Sequence, residues 1–125
     1  MSDEMSAAVA DRFFAAVEAG DAATVEASYH PDVVIWHGHT RQTQDRATNV
    51  ATLTQFIAIS RSRTYTDRKI RFFPGGFVQQ HLLIAEFANG KVLELPACIV
   101  CAVSGGRITR LDEYFDSKPL ERLAG

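Results

Sequence analysis

The sequence has no basic run, no heptad series, no low-complexity tract and no apolar stretch long enough to span a membrane. With a net charge of −2 and a pI near 6.0, it lacks the positive surface that nucleic acid or an anionic membrane would require. Its first residues, MSDEMSAAVADRFF, are acidic and amphipathic, unlike a signal peptide, so the expected compartment is the cytoplasm. Cysteine is scarce: Cys98 and Cys101 are the only two, and they spell C-x-x-C. That spacing serves redox or zinc chemistry in some settings. Here it lies within LELPACIVCAV, which reads as a strand, and residues three apart on a strand point to opposite faces. Two independent buried thiols are expected, without a disulfide or a shared metal.

What is present fits one soluble α+β domain over residues 1–125, with 46% apolar and 22% charged residues. Val9, Phe13, Ala16 and Val17 follow a helical spacing and predict a helix over about 5–19. Gly20 stops it, and Asp21 is placed to cap a short second helix ending near Ser28. YHPD reads as a turn before a strand over Val33 to His37. Ala47, Val50 and Ile57, with Leu53 and Phe56 beside them, predict a third helix over about 43–60. Beyond it the apolar period drops to two, and PGG at 74–76, NG at 89–90 and GG at 105–106 divide the rest into four antiparallel strands. The three helices are expected to cover one face of that sheet.

If Gly75-Gly76, Asn89-Gly90 and Gly105-Gly106 are each two-residue loops, counting outward fixes every pair. Ile70 then faces His81, and Phe72 faces Gln79. His81 faces Cys98, Leu83 faces Pro96, Cys98 faces Glu113 and Val100 faces Leu111. The covered face would carry Ile70, Phe72, Gln79, His81, Leu83, Pro96, Cys98, Val100, Leu111, Glu113 and Phe115. His81 and Glu113 are its polar intruders, in one row with Cys98 between them. A one-residue slip would send a strand's side chains to the other face. A carboxylate on an apolar face is costly unless it has a purpose, and desolvation would raise the pKa of Glu113 toward neutrality. Pairing with Arg12 or Arg46 is the structural alternative for Glu113; a hydrogen bond to a backbone carbonyl or helix hydroxyl is that for His81.

VIWHGHT, residues 34–40, sets His37 and His39 either side of a glycine. Two histidines do not make a zinc site, which needs a third protein ligand, here His81 or Glu113. Gly38 and Thr40 break the strand, so alternation fails at His39, and the stretch reads as a pocket lip with His39 exposed and no metal. Trp36 and His37 alternate, so one of them faces inward.

The order of elements, GDAATVEASYHPDVVIWHG at 20–38 and the closing GGRITRLDEYFDS at 105–117 together resemble the SnoaL-like branch of the nuclear transport factor 2-like superfamily. The resemblance covers about residues 6–117. It implies a cone-shaped barrel: helices packed on a strongly curved, mainly antiparallel sheet, a pocket in its mouth, and usually a homodimer. Relatives include ketosteroid isomerases, polyketide cyclases, limonene-epoxide hydrolases and dehydratases, alongside members that bind or scaffold. The Asp-Arg-Asp set of the epoxide hydrolases falls on Leu83, His81 and Glu113, so one aspartate is absent and the arginine is replaced. The carboxylate base of the isomerases falls at about His37. The polyketide cyclases ask for acid–base residues and pocket shape without a cofactor, which this sequence meets.

The expected function is therefore a cofactor-independent acid–base enzyme of isomerase, cyclase or dehydratase type. Its ligand would be a small apolar organic molecule with an enolisable or otherwise acid–base-labile centre. His81 and Glu113 would divide the proton transfers, with His37 or Trp36 positioning the substrate. Ile70, Phe72, Gln79, Leu83, Cys98, Val100, Leu111 and Phe115 would line the pocket. The alternative is a non-catalytic ligand-binding or dimerisation module. Dimerisation is expected through the outer sheet face, centred on Leu82, Leu95, Ala97 and Ile99, with Glu86, Arg110 and Asp112 as a polar rim.

Overall fold

The computed structural model describes residues 2–124. Helix α1 spans Ser2–Ala19 and α2 spans Ala22–Ser28. Strand β1 (Tyr29–His37) and a short β2 (Gln42–Gln44) precede α3 (Arg46–Ile59). Strands β3 (Ser60–Phe73), β4 (Gly76–Phe87), β5 (Val92–Ser104) and β6 (Arg107–Phe115) follow, and α4 (Lys118–Ala124) is the last described element. The sheet is curved and open, with strand order β2-β1-β6-β5-β4-β3, and β1 runs parallel to β6 while every other pair is antiparallel.

Local chemistry sets the helix boundaries. Asp21 caps α2 as its sequence position suggests, its Oδ1 accepting from Thr24 N at 3.1 Å. Asp45 does the same for α3, accepting from Thr48 N at 2.8 Å. Because that cap fixes the start of α3, Gln42–Gln44 is free to pair with β1, where a helix from about 43 was expected. Tyr29–Asp32, expected as a turn, is extended and belongs to β1. Val9, Phe13, Ala16 and Val17 are buried on the concave face of the sheet with Phe14, Tyr29, Ile35 and Phe77. Arg63 on β3 ties two helices to that sheet. Its buried guanidinium donates to the carbonyls of Val17 and Glu18 at the end of α1, and of Ile57 and Ser60 at the end of α3.

The pairing differs from the count made on two-residue loops, and each difference has a local cause. The first hairpin turns at Pro74-Gly75, with Phe73 opposite Gly76, so Ile70 faces Gln79 and Phe72 faces Phe77. The second closes through Phe87 N to Lys91 O at 2.9 Å, a three-residue loop in which Gly90 takes φ +85°. His81 therefore faces Ala97, Gln80 faces Cys98, and Leu82 faces Pro96. The third does turn at Gly105-Gly106, with Ser104 opposite Arg107, but a bulge at Thr109 then shifts the ladder. Cys98 meets Tyr114, Ile99 meets Glu113, and Cys101 meets Leu111.

Strand β5 is consequently turned over relative to the expectation. Leu95, Ala97, Ile99 and Cys101 face the helices, and Pro96, Cys98 and Val100 face outward. Both thiols are free as expected, but Cys101 is the inward one, fully buried, and Cys98 the outward one. The two slips cancel across β5, so His81 and Glu113 share the concave face without forming a row through Cys98. Among the described residues no helix is long and apolar enough to cross a membrane.

Candidate active site

The concave face encloses a cavity of about 290 Å³ between α1, α3, the sheet and α4. Its walls are mostly apolar, with Phe13, Leu53, Phe56, Leu83, Leu95, Ile99, Leu111, Phe115 and Leu120 contributing. One carboxylate enters this wall, that of Glu113.

Strands β1 and β6 bring its partner to it. The parallel ladder sets His37 beside Glu113, and adjacent strands are ~4.8 Å apart, so side chains on one face touch. Gly38 N donates to Glu113 O at 2.8 Å, an approach in which an added Cβ would come within 3.0 Å of that oxygen. His37 Nδ1 lies 2.9 Å from Glu113 Oε1 and His37 Nε2 lies 2.8 Å from Gln44 Oε1. Glu113 Oε2 takes no hydrogen bond among the described residues.

Hydrogen-bond bookkeeping decides which imidazole nitrogen carries a fixed proton. Thr52 donates its hydroxyl proton to Thr48 O at 3.0 Å, so it accepts from the Gln44 amide nitrogen at 3.2 Å. The Gln44 carbonyl oxygen is thereby turned toward His37 and also accepts from Asn49 Nδ2 at 3.0 Å. Asn49 is held in turn by the buried Tyr29 hydroxyl, which donates to its Oδ1 at 2.8 Å. A carbonyl oxygen can only accept, so His37 Nε2 bears a proton. The second, mobile proton lies between His37 Nδ1 and Glu113. The Glu113 hydrogen bond raises the His37 pKa against the opposing effect of burial, and Gln44 adds to the rise. Below its raised pKa, His37 is an imidazolium paired with the Glu113 carboxylate, which keeps one oxygen without a hydrogen bond among the described residues.

His81 has the opposite surroundings. Its ring lies edge-to-face with Tyr65 at 4.7 Å and with Phe14 at 5.7 Å. Arg68 Nε donates to Gln79 Oε1 at 2.9 Å, which turns the Gln79 amide nitrogen toward His81 Nδ1, also at 2.9 Å. Nδ1 must then accept, fixing a neutral ring with its proton on Nε2. Burial pushes the His81 pKa down to about 4; the Arg68 charge adds to this and the Glu113 charge opposes it. His81 and Glu113, expected to act together on a ligand, share no hydrogen bond among the described residues, and the direct partner of Glu113 is His37 and not Arg12 or Arg46.

Of the remaining expected pocket residues, Leu83, Leu111 and Phe115 line the cavity. Ile70 packs at the edge of the main core, and Gln79 is fully buried in the bonds just described. Phe72 is 37% exposed near the first hairpin, away from the cavity. Trp36 is on the outer face against Tyr114, ring centroids 5.3 Å apart, so His37 is the inward member of that pair. Cys98 and Val100 face outward with it. His39 is exposed, as expected, and lies over Phe115 at 4.3 Å on the cavity rim. No group of three metal-ligating side chains occurs among the described residues. Counting from the turns missed Gln44, Asn49 and Tyr65; the hydrophobic period of β3 and the Asp45 cap were the signals that could have placed them.

A curved open sheet with helices in its concavity and a polar pair on the cavity wall defines an α+β cone of the nuclear transport factor 2-like type. The chain belongs to the SnoaL-like domain family, whose model matches residues 10–111. None of the curated proteins matches it significantly by sequence. Among solved structures it is similar to a candidate polyketide cyclase of Xanthomonas campestris, with TM-score 0.82 and 18% identity over 98% of this chain and 96% of that one. It is also similar to an LEH-like epoxide hydrolase of M. tuberculosis, with TM-score 0.81 and 17% identity over 95% and 88% of the two chains. An NTF2-like protein of Burkholderia pseudomallei gives TM-score 0.80 at 17% identity over 95% and 96%. At such identities the likeness is one of fold.

Proposed function

We propose that this protein is a cofactor-independent acid–base enzyme, of isomerase, cyclase or dehydratase type, acting on a small apolar organic molecule held in the cone. Glu113 is the group that takes and returns the proton, through Oε2. His37, fixed by Gln44, neutralises and aims it. The observation that carries this reading is the free carboxylate oxygen on an apolar wall, with its other oxygen tied to an imidazolium. A site built only to bind apolar ligands has no use for a half-buried ion pair, whose desolvation costs stability. The test is turnover of a panel of small ketones and polyketide-like compounds by the native enzyme and Glu113→Gln, beside their melting temperatures. Turnover lost at unchanged melting temperature supports the enzyme. No turnover by the native protein would leave a ligand-binding module, and equal turnover by both would remove Glu113 as the proton-transferring group.

The same reading includes a homodimer through the outer face of the sheet. Leu82, Ile84, Pro96 and Val100 make its centre and Trp36 and Tyr114 its flank, in place of the inward Leu95, Ala97 and Ile99. Tyr114 is 47% exposed, and the Arg110–Asp112 ion pair at 2.9 Å supplies a polar rim. Sedimentation at micromolar concentration should give twice the chain mass, reverting to one on Val100→Arg; a native monomer would refute the dimer.

A further inference from the structure

Outside the cone, the end of α3, the β4–β5 hairpin and α4 form a groove of about 680 Å³, lined by Ile59, Phe87, Ala88, Asn89, Lys91 and Leu123. Phe56 and Leu120 line both this groove and the chamber that holds Glu113, so two side chains make a shared wall. The polar groups of the groove are already engaged. Ala88 N donates to Ile59 O at 3.5 Å, and Arg61 Nη2 donates to Ala88 O at 3.2 Å. Asn89 Oδ1 accepts from Lys91 N at 3.0 Å, and Lys91 Nζ donates to Leu123 O at 2.9 Å. What the groove offers a ligand is hydrocarbon: Ile59 is 57% exposed, and the Phe87 ring stands edge-on to Phe56 at 6.1 Å.

The shared wall is thin and easily parted. Helix α4 has seven residues, too few to be stable alone, and is held by the packing of Leu120 and Leu123 and by the Lys91 bond. Phe56 and Leu120 are only half-buried, so a change of rotamer opens the way between chamber and groove. The chamber, at about 290 Å³, lies at the lower bound of small-molecule sites, roughly 300–1,000 Å³. That is room for a compact head without its substituents. We propose that the groove is a second subsite, taking an unbranched alkyl chain of the ligand whose head lies beside Glu113, and that the chain crosses between Phe56 and Leu120. This rests on the chamber being the ligand site. Each methylene leaving water for the groove gains affinity, whereas a polar substituent would lose its water without finding a partner. The groove thus selects alkyl-bearing molecules by chain length, independently of the proton chemistry at Glu113.

The probes are 4-alkylphenols from 4-methylphenol to 4-octylphenol, whose hydroxyl can donate to Glu113 Oε2 while the chain grows from the far side of the ring. Calorimetry should show affinity rising roughly 2–4-fold with each methylene once the chain leaves the chamber. Ile59 lines the groove and not the chamber, so Ile59→Asn should bind 4-methylphenol as the native protein does and flatten the rise with length. Its exposure means that the melting temperature should hold. With native protein, NOEs from the terminal methyl of 4-octylphenol should reach Ile59 and Leu123, and those from the ring should reach Leu83 and Leu111. Terminal-methyl contacts to Leu83 or Leu111 instead, or an affinity that stops rising at short chains, would overturn the inference and leave the chamber as the ligand site. So would a rise with length that persists unchanged in Ile59→Asn without contact to Leu123. Failure of every homologue to bind, 4-methylphenol included, would count against the chamber itself and take the inference with it.

Discussion

His37 and His81 stand on the same face of one sheet, yet their neighbours give them opposite character. His37 lies between a carboxylate and an amide oxygen, both acceptors, and its pKa rises. His81 lies between two aromatic rings with an amide nitrogen at Nδ1, and its pKa falls to about 4. Residue type therefore says little about proton chemistry here. What decides it is the surroundings: the Glu113 carboxylate holds a proton on His37 and burial keeps one off His81, while Thr52 and Arg68, the second neighbours out, orient the amides that fix where each ring's remaining proton sits.

The contrast breaks most readily in turnover. Glu113→Gln should cost ~10²–10⁴-fold, as removal of a general acid or base does, and His81→Asn far less. Steady-state rates on the same substrate measure both; equal losses would mean that His81 shares the proton transfer. The next effect is on stability. His37→Leu strands the Glu113 carboxylate and the Gln44 oxygen in a half-buried site and should cost about 1–3 kcal/mol in urea unfolding. A change within error would make the pair decorative.

The pH dependence separates the two histidines by direction. His37 is raised by folding, so its contribution is fully present below pH 6.5 and is lost as pH rises through its folded value. His81 is lowered, so between pH 6.5 and about 4 the unfolded chain binds a proton that the folded one refuses, and stability falls with pH over that window. Unfolding free energies from pH 4 to 9 should show the acid-side loss vanish in His81→Asn and the alkaline loss vanish in His37→Leu. The smallest effect is on tautomer control. Gln44→Leu removes the acceptor from Nε2–H and should lower the His37 pKa modestly, read by proton NMR titration, without moving His81.

How far the sequence could foresee this follows from which contacts are local. The helix faces were legible because Val9, Phe13, Ala16 and Val17 obey a period that one wrong residue cannot shift. The Asp21 cap was legible for the same reason, being made within one turn. Strand register was not, since it hinges on single residues: Gly90 extending one loop, Thr109 bulging from β6. Each slip reverses a face, which is why Cys98, Val100 and Cys101 came out inverted while Glu113, two slips from His81, came out right. The His37–Glu113 pair needed the parallel β1–β6 ladder, which no turn between those strands announces. His37 and Glu113 were each singled out, but not as partners.

The protonation of the two rings is readable by 15N NMR of imidazole-labelled protein at pH 6.5, the ordinary histidine midpoint. His37 should show two protonated nitrogens, reverting toward the unperturbed half-charged state in Glu113→Gln. His81 should show a single proton on Nε2 in both proteins. A neutral His37 beside a doubly protonated His81 would contradict the assignment of the proton-transfer centre to Glu113 and His37.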